Sequence, residues 1–317
     1  MRRFCAAVLL LALLSGLGTS GAESALRGYS REEGYVYVSL GQYMMTKDGD
    51  MGPIVWRVLE TDEEKAYLLS EYILFARPMH ITGRSLEEKA EQLRGQGADE
   101  AKILKSVSKV KADYSRNDYR DELKGDFAQT ELCGYLNGTF AETAFTEEQM
   151  GMLLPCEDYG KIFLIPIEDM KNKAFGLGST NPGTTNVKKI EADPGCRAWG
   201  TEWAIHNNGV SPEEYPDPEK RVYGLAGEHV TVQETRLYVF QAKYGSCSPW
   251  WARTQSKTDG RQAVATKDGG QIGRLEVARD NIGVRPAVYL DLNAFEITGG
   301  SGTLEDPWMV GLKNGNQ

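Results

Sequence analysis

The sequence predicts an α+β fold of small twisted antiparallel sheets, two or more flanking helices and long loops. Three observations predict it. Short alternating runs of β-branched and aromatic residues recur, and two of them, Pro53-Ile54-Val55-Trp56-Arg57-Val58-Leu59 and Lys65-Ala66-Tyr67-Leu68-Leu69-Ser70, face each other across the charged turn Thr61-Asp62-Glu63-Glu64. Two short apolar segments open on helix caps, Asp126 with Gln129 and Thr146 with Gln149. Residues 171–197 and 205–231 are rich in Gly, Pro, Asn and Asp, the composition of long loops.

The chain begins with a targeting pattern. Arg2 and Arg3 precede an unbroken apolar run from Ala6 to Leu14, too short to span a bilayer, and Ser20-Gly21-Ala22 supplies small residues for cleavage. Residues 1–22 therefore read as a signal peptide and the mature chain as secreted or held at the cell surface. No Cys follows the apolar run to take a lipid, and no later run is long enough for a membrane span after cleavage. The 317 residues carry 36 basic and 45 acidic side chains, a net charge of −9. An acidic chain without a basic stripe argues against nucleic acid and against anionic membrane surfaces.

In order, residues 23–33 read as a short polar linker and 34–312 as one domain. Tyr35-Val36-Tyr37-Val38-Ser39-Leu40 alternates like a strand, and Lys47-Asp48-Gly49-Asp50 is a turn before the first hairpin. Tyr72 to Phe75 continues the apolar run. From Ser85, capped with Glu88, the spacing of Leu86, Leu93, Ile103, Leu104, Val107 and Val110 is helical, and Gly95 and Gly97 divide it. This charged stretch, about 85–111, reads as a surface insertion. The helix capped by Asp126 runs through Leu132, Tyr135 and Leu136 to a stop at Gly138, and the next runs from Thr146 through Met150 and Leu153. Lys161 to Ile167 and Thr231 to Ala242 read as strands. Gln262-Ala263-Val264-Ala265-Thr266 and Gln271 to Val277 form a hairpin around Lys267-Asp268-Gly269-Gly270. Two buried strands close the core, Cys247 to Arg253 and Asp280 to Leu292. The last residues, 313–317, read as a disordered tail.

Several residues invite chemistry. Four Cys remain after cleavage, Cys133, Cys156, Cys196 and Cys247, an even number that in an exported chain suggests disulfides, with free buried thiols as the alternative. Cys133 and Cys156, one helix and a turn apart, are the nearer pair. The absence of CxxC units and of any ligand spacing among His80, His206 and His229 predicts no metal site and no cofactor, apart from a structural Ca²⁺ held by loop oxygens. Gly176-Leu177-Gly178-Ser179 does not match a nucleotide loop. In an extended strand Trp250 and Ala252 face one way and Trp251 and Arg253 the other. The cluster of Trp199, Trp203, Trp250 and Trp251 is either a recognition platform or core. Arg253 and Arg285, set in apolar runs, read as structural donors to loop carbonyls or to a carboxylate such as Asp291.

The order of these motifs resembles a family of bacterial secreted and surface domains, domain of unknown function 6273. The matching residues are Ser39-Leu40-Gly41-Gln42-Tyr43, Pro53 to Leu59, Leu68-Leu69-Ser70, Leu132, Leu136-Asn137-Gly138-Thr139-Phe140, Ala144-Phe145-Thr146, Ile162-Phe163-Leu164, Cys196 with Thr201-Glu202-Trp203-Ala204, Cys247, Trp250-Trp251-Ala252-Arg253 and Gly283-Val284-Arg285-Pro286-Ala287. Ala252, where the family has Leu, and Thr254-Gln255, where it has Ser-Pro, depart from the pattern. The segment from Ile297 to Trp308 is similar to a terminal element of bacterial surface proteins.

The resemblance implies a C-type-lectin-like fold, in the superfamily that includes formylglycine-generating enzymes and retroelement-diversified binding proteins. It implies a bridge Cys196–Cys247, to which sequence proximity adds Cys133–Cys156. It makes Trp56, Trp251, Arg253, Arg285 and Asp291 structural. The diversified relatives vary their C-terminal region, which points to Trp250, Gln255, Lys257, Asp259, Arg261, Lys267, Arg274 and Asn281 as ligand-binding residues. The EPN and WND triplets of Ca²⁺-bridged sugar sites are absent. The expected function is a recognition module binding a protein or glycan without catalysis. The alternative is an extracellular Cys- or metal-dependent oxidase or modifying enzyme related to formylglycine-generating enzymes.

Overall fold

The computed structural model describes residues 19–30, 34–80, 91, 93–101, 103, 126–177, 196–207, 248–256, 262–266, 270–277, 279 and 281–313. They form a mixed α+β structure with no closed barrel. Along the chain run α1 (Thr19–Arg27), β1 (Tyr37–Met44), β2 (Met51–Thr61), β3 (Lys65–Ser70) and β4 (Phe75–Ala76). Then come α2 (Glu131–Tyr135), α3 (Ala141–Ala144), α4 (Glu147–Gly151), β5 (Leu153–Leu154), β6 (Ile162–Phe163), α5 (Ile167–Met170) and α6 (Glu202–Asn207). The last part is all strand: β7 (Trp251–Gln255), β8 (Gln262–Thr266), β9 (Ile272–Glu276), β10 (Gly283–Val284), β11 (Ala287–Asp291), β12 (Phe295–Gly299) and β13 (Trp308–Leu312).

The main sheet has the order β12-β13-β1-β2-β3-β11-β5, with β6 also on β11. Leu290 and Tyr289 pair with β5 while Val288 and Ala287 pair with β6, so the two short strands share one edge of β11. The pairs are antiparallel except β1 with β13, where Val38 lies opposite Trp308. The C-terminal hairpin thus widens the main sheet to eight strands, larger than the small sheets expected. Two small sheets stand apart, β4 with β10 and β7-β8-β9. The turn between β2 and β3 is set by Asp62, whose Oδ1 accepts from the backbone N–H of Glu64 and Lys65, both at 2.8 Å.

Strand alternation divides the interior in two. Val38, Leu40, Ile54, Trp56, Leu68, Val288 and Leu290 face a cluster with Leu132, Leu136, Phe140 and Trp251. Leu69, Tyr67 and Ala287 face a second cluster with Phe163, Ile165, Trp250 and Ala252. The Trp56 indole is fully buried and its Nε1 donates to the Leu40 carbonyl at 2.8 Å. An aromatic of this size contributes about 4–6 kcal/mol of transfer free energy.

Four local expectations need correction. The linker at 23–33 begins inside helix α1, in which Ala22 and Leu26 are buried and Ala25 and Tyr29 pack alongside. Positions 22, 25 and 26 form one helical stripe, which Tyr29 extends just past the helix end, masked in sequence by the Ser, Glu and Arg between them. The helix expected to stop at Gly138 instead passes through a π-helical segment, Leu136–Phe140, in which Gly138 takes φ −110°, ψ −106° before α3 resumes. Glycine tolerates that distortion, so the chain kinks there without ending. The strand expected over 161–167 is ordered as β6 for two residues and then turns into α5. Asp291 takes no arginine: its Oδ1 accepts from the Asn293 N–H at 2.8 Å, because it opens the β11–β12 turn. Thr146 and Gln149 do form a capping box. Of the insertion, residues 93–95 are helical, Gly97 turns with φ +74°, and Ile103 is buried. Residues 85–90, 92, 102 and 104–111, the strand at 231–242 and most of both long loops lie outside the described residues.

Candidate functional site

Trp250, just before β7, and Trp251, its first residue, are both core. Trp250 is 0% exposed, and its indole Nε1 donates to the Cys196 carbonyl at 2.8 Å. The Arg285 guanidinium lies 4.8 Å over its ring. Trp250 is therefore not a surface ligand residue. The physical reason is that the extended chain entering β7 is covered on both sides there, so alternation delivers Trp250 to one cluster and Trp251 to the other. Trp251 donates to the Arg77 carbonyl at 2.9 Å, Trp203 is buried, and Trp199 is half-buried.

Of the other expected ligand residues, Gln255 is half-buried at the end of β7, Arg274 is exposed on β9 and Asn281 is half-buried before β10. Gln255 and Arg274 share one sheet with β8 between them. Lys257, Asp259, Arg261 and Lys267 lie outside the described residues. Arg285 Nε donates to the Ser70 carbonyl at 2.9 Å, and burial pulls its guanidinium down to about 10. Beside it, Arg57 clamps Glu71 with two hydrogen bonds of 2.7 and 2.5 Å while stacking 4.2 Å over Tyr35. Arg57, Glu71 and Arg285 Nε are thus tied into the scaffold, while Arg285 Nη1 is buried without a hydrogen-bond partner.

The expected bridge Cys133–Cys156 is absent, and both thiols are free. Cys133 belongs to the first cluster and Cys156 to the second. Cys133 Sγ donates to the Tyr159 carbonyl at 3.5 Å, and burial raises its thiol to about 11. Cys156 lies 4.0 Å from Arg253 Nη1 and bonds the Tyr289 hydroxyl; burial raises it too, against the opposing pull of Arg253. Cys196 Sγ donates to the Met170 carbonyl at 3.2 Å, and its expected partner Cys247 lies outside the described residues.

A face that none of these expectations named gathers around Cys156. Tyr67 on β3 and Tyr289 on β11 are direct cross-strand partners, with ring centroids 5.0 Å apart. Phe163 on β6 joins them at 4.9 Å from Tyr289. Tyr67 and Phe163 form a buried floor, and Tyr289, Tyr159, Lys65, Arg253 and Asp169 form a half-buried rim. Lys65 Nζ stands 4.3 Å over the Tyr289 ring, and the Arg253 guanidinium 4.8 Å over Tyr159. Arg253 Nη1 also donates to the Leu164 carbonyl at 3.0 Å, which fixes the fork. The Tyr67 hydroxyl donates to Asp169 Oδ2 at 2.7 Å.

The electrostatics of this face suit holding, not proton transfer. Burial raises Tyr67 well above the usual phenol value, with the Asp169 charge second. Burial raises Asp169, against the Tyr67 hydrogen bond and Arg253. Tyr289 is pushed up to about 12 by burial and by Cys156. At neutral pH the hydroxyls and the thiol keep their protons, leaving two cations, a carboxylate and aromatic rings at one rim. The signal in sequence was register: Lys65 and Tyr67 on one strand match Asp291 and Tyr289 on the other.

No family model, curated protein or solved structure matches this chain. Among the described residues no group of three His, Cys, Asp or Glu side chains is placed to hold a metal ion. No described helix is long and apolar enough to cross a membrane.

Proposed function

We propose that this chain is an exported recognition module on a C-type-lectin-like scaffold, binding a polar surface ligand, a glycan in preference to a protein, without chemistry of its own. The observation that carries the reading is the rim of Tyr289, Tyr159, Lys65, Arg253 and Asp169. Half-buried rings flanked by donors and an acceptor match the alternation of C–H faces and hydroxyls on a sugar. The rim lies beside β7, whose end leads to the residues expected to bind from sequence. The Cys-dependent alternative needs a thiolate, and the raised thiols of Cys133 and Cys156 work against one. The test is a glycan and protein array probed with wild type and with Lys65→Ala, Tyr159→Ala and Asp169→Asn, each checked for an unchanged Tm. Loss of glycan signal in the rim variants supports the reading. Retention in all three, or a signal confined to protein spots, overturns it.

A further inference from the structure

We infer that the rim around Tyr289 takes an acidic sugar, whose carboxylate docks on the Nε–Nη2 edge of Arg253 beside the Lys65 ammonium. The inference rests on the rim being a glycan-binding face and adds the charge that the ligand carries.

The two cations stand against one pair of side chains. Cys156 bonds the Tyr289 hydroxyl. Lys65 Nζ lies 4.3 Å from the centre of the Tyr289 ring, and Arg253 Nη1 lies 4.0 Å from Cys156 Sγ. Burial raises the Cys156 thiol, and Arg253 and Lys65 both pull against it, so both charges act at the same point.

Arg57 shows what such a cation takes. It grips both oxygens of Glu71 with Nε and Nη2, at 2.7 and 2.5 Å, the side-on fork that matches a carboxylate. Arg253 uses Nη1 on the Leu164 carbonyl at 3.0 Å, which fixes its plane. The same Nε–Nη2 edge then makes no hydrogen bond among the described residues, and it is not sealed from solvent as Arg285 Nη1 is. Lys65 Nζ likewise makes no hydrogen bond or ion pair among the described residues and faces a ring. A ring face holds a cation less strongly than a charge-assisted hydrogen bond does.

The carboxylates nearby do not fill that role. Asp169 accepts from the Tyr67 hydroxyl at 2.7 Å and forms no ion pair with Arg253. Asp62 turns Oδ1 to the backbone N–H groups of Glu64 and Lys65. Glu157 is exposed. In a chain of net charge −9, two cations converge here without an acid bound to either. The carboxylate of an acidic sugar lies at the edge of its ring. A sugar ring packed on Tyr289 or Tyr159 turns that group toward the cations, while a hydroxyl reaches Asp169.

The test is calorimetric titration of the full chain with paired probes. A galacturonic acid tetramer is set against its carboxyl-reduced neutral form, and sialyllactose against lactose, which separates a uronic from a sialic source; lactose sulfate is the anion control. At least one acid should bind about tenfold tighter than its neutral partner. That ratio should fall about threefold or more in Lys65→Gln, at unchanged Tm, and in Arg253→Lys, which keeps the charge but loses the fork. Equal affinity for acid and neutral partners overturns the inference and leaves the glycan reading standing. An acid preference that survives in both variants overturns its placement at this rim. Lactose sulfate binding as tightly as the acids overturns the carboxylate assignment. No binding of any of these sugars overturns the inference and the glycan reading together.

Discussion

Replacing Asn137 by alanine should cost this protein about 3 kcal/mol of stability. Its side chain spans the segment between the π-helical kink and β6. Nδ2 donates to the carbonyls of Tyr159 and Ile162, both at 2.8 Å, and Oδ1 accepts from the Ile162 N–H at 3.1 Å. A third carbonyl, that of Cys133, lies 3.2 Å away. Each bond contributes about 1 kcal/mol net, and three are lost together. Gly160 is shaped around the same amide: its φ is +81°, and a Cβ there would come within 2.6 Å of Asn137 Cγ. Urea unfolding and thermal melts of wild type, Asn137→Ala and Asn137→Asp provide the assay. The Asp variant should be at least as unstable, since it keeps the acceptor but turns a charge toward two carbonyl oxygens. An alanine variant with an unchanged urea midpoint would refute the reasoning, because the amide would then be dispensable to the turn.

Other outcomes follow from the buried polar groups. Non-reducing peptide mapping should find Cys133 and Cys156 unlinked and slow to alkylate until the chain is denatured; a recovered 133–156 bridged peptide would contradict the structure. The Cys133 thiol is raised from 9.0 to about 11, so the fold favours its protonated form. That stabilisation is complete below pH 9 and is lost as pH rises toward 11, and Cys133→Ala should flatten the loss in urea titrations across this window. Arg285→Ala should melt well below wild type and below Arg285→Met, because it forfeits the bond to Ser70 and the contact with Trp250 and leaves a cavity. An Arg285→Ala variant that melted normally would show that this side chain is not structural.

Much of the framework was readable from residue order. The hairpin of β2 and β3, the capping box at Thr146 and the opposite facing of Trp250 and Trp251 all follow from local periods and local caps. What escaped needed long-range pairing. Helix α1 hides its apolar stripe among polar residues, and only its packing on β12 reveals it. The Cys133–Cys156 expectation does not hold, because closeness in sequence does not fix packing and the two residues join different clusters. The expectation that Trp250 binds a ligand does not hold, because strand alternation tells which side a residue faces, not whether that side is covered. The rim around Tyr289 depends on β3, β11, β6, β7 and α5 meeting, a contact set whose sequence separations run from about a hundred to more than two hundred residues and that no local pattern encodes.

The most direct measurement is an equilibrium titration of the best array glycan against wild type and the double variant Lys65→Ala/Asp169→Asn, with Tm measured on the same samples. The account predicts at least tenfold weaker binding in the double variant at an unchanged Tm. Equal affinity in the two proteins would contradict it and move the binding surface away from this rim.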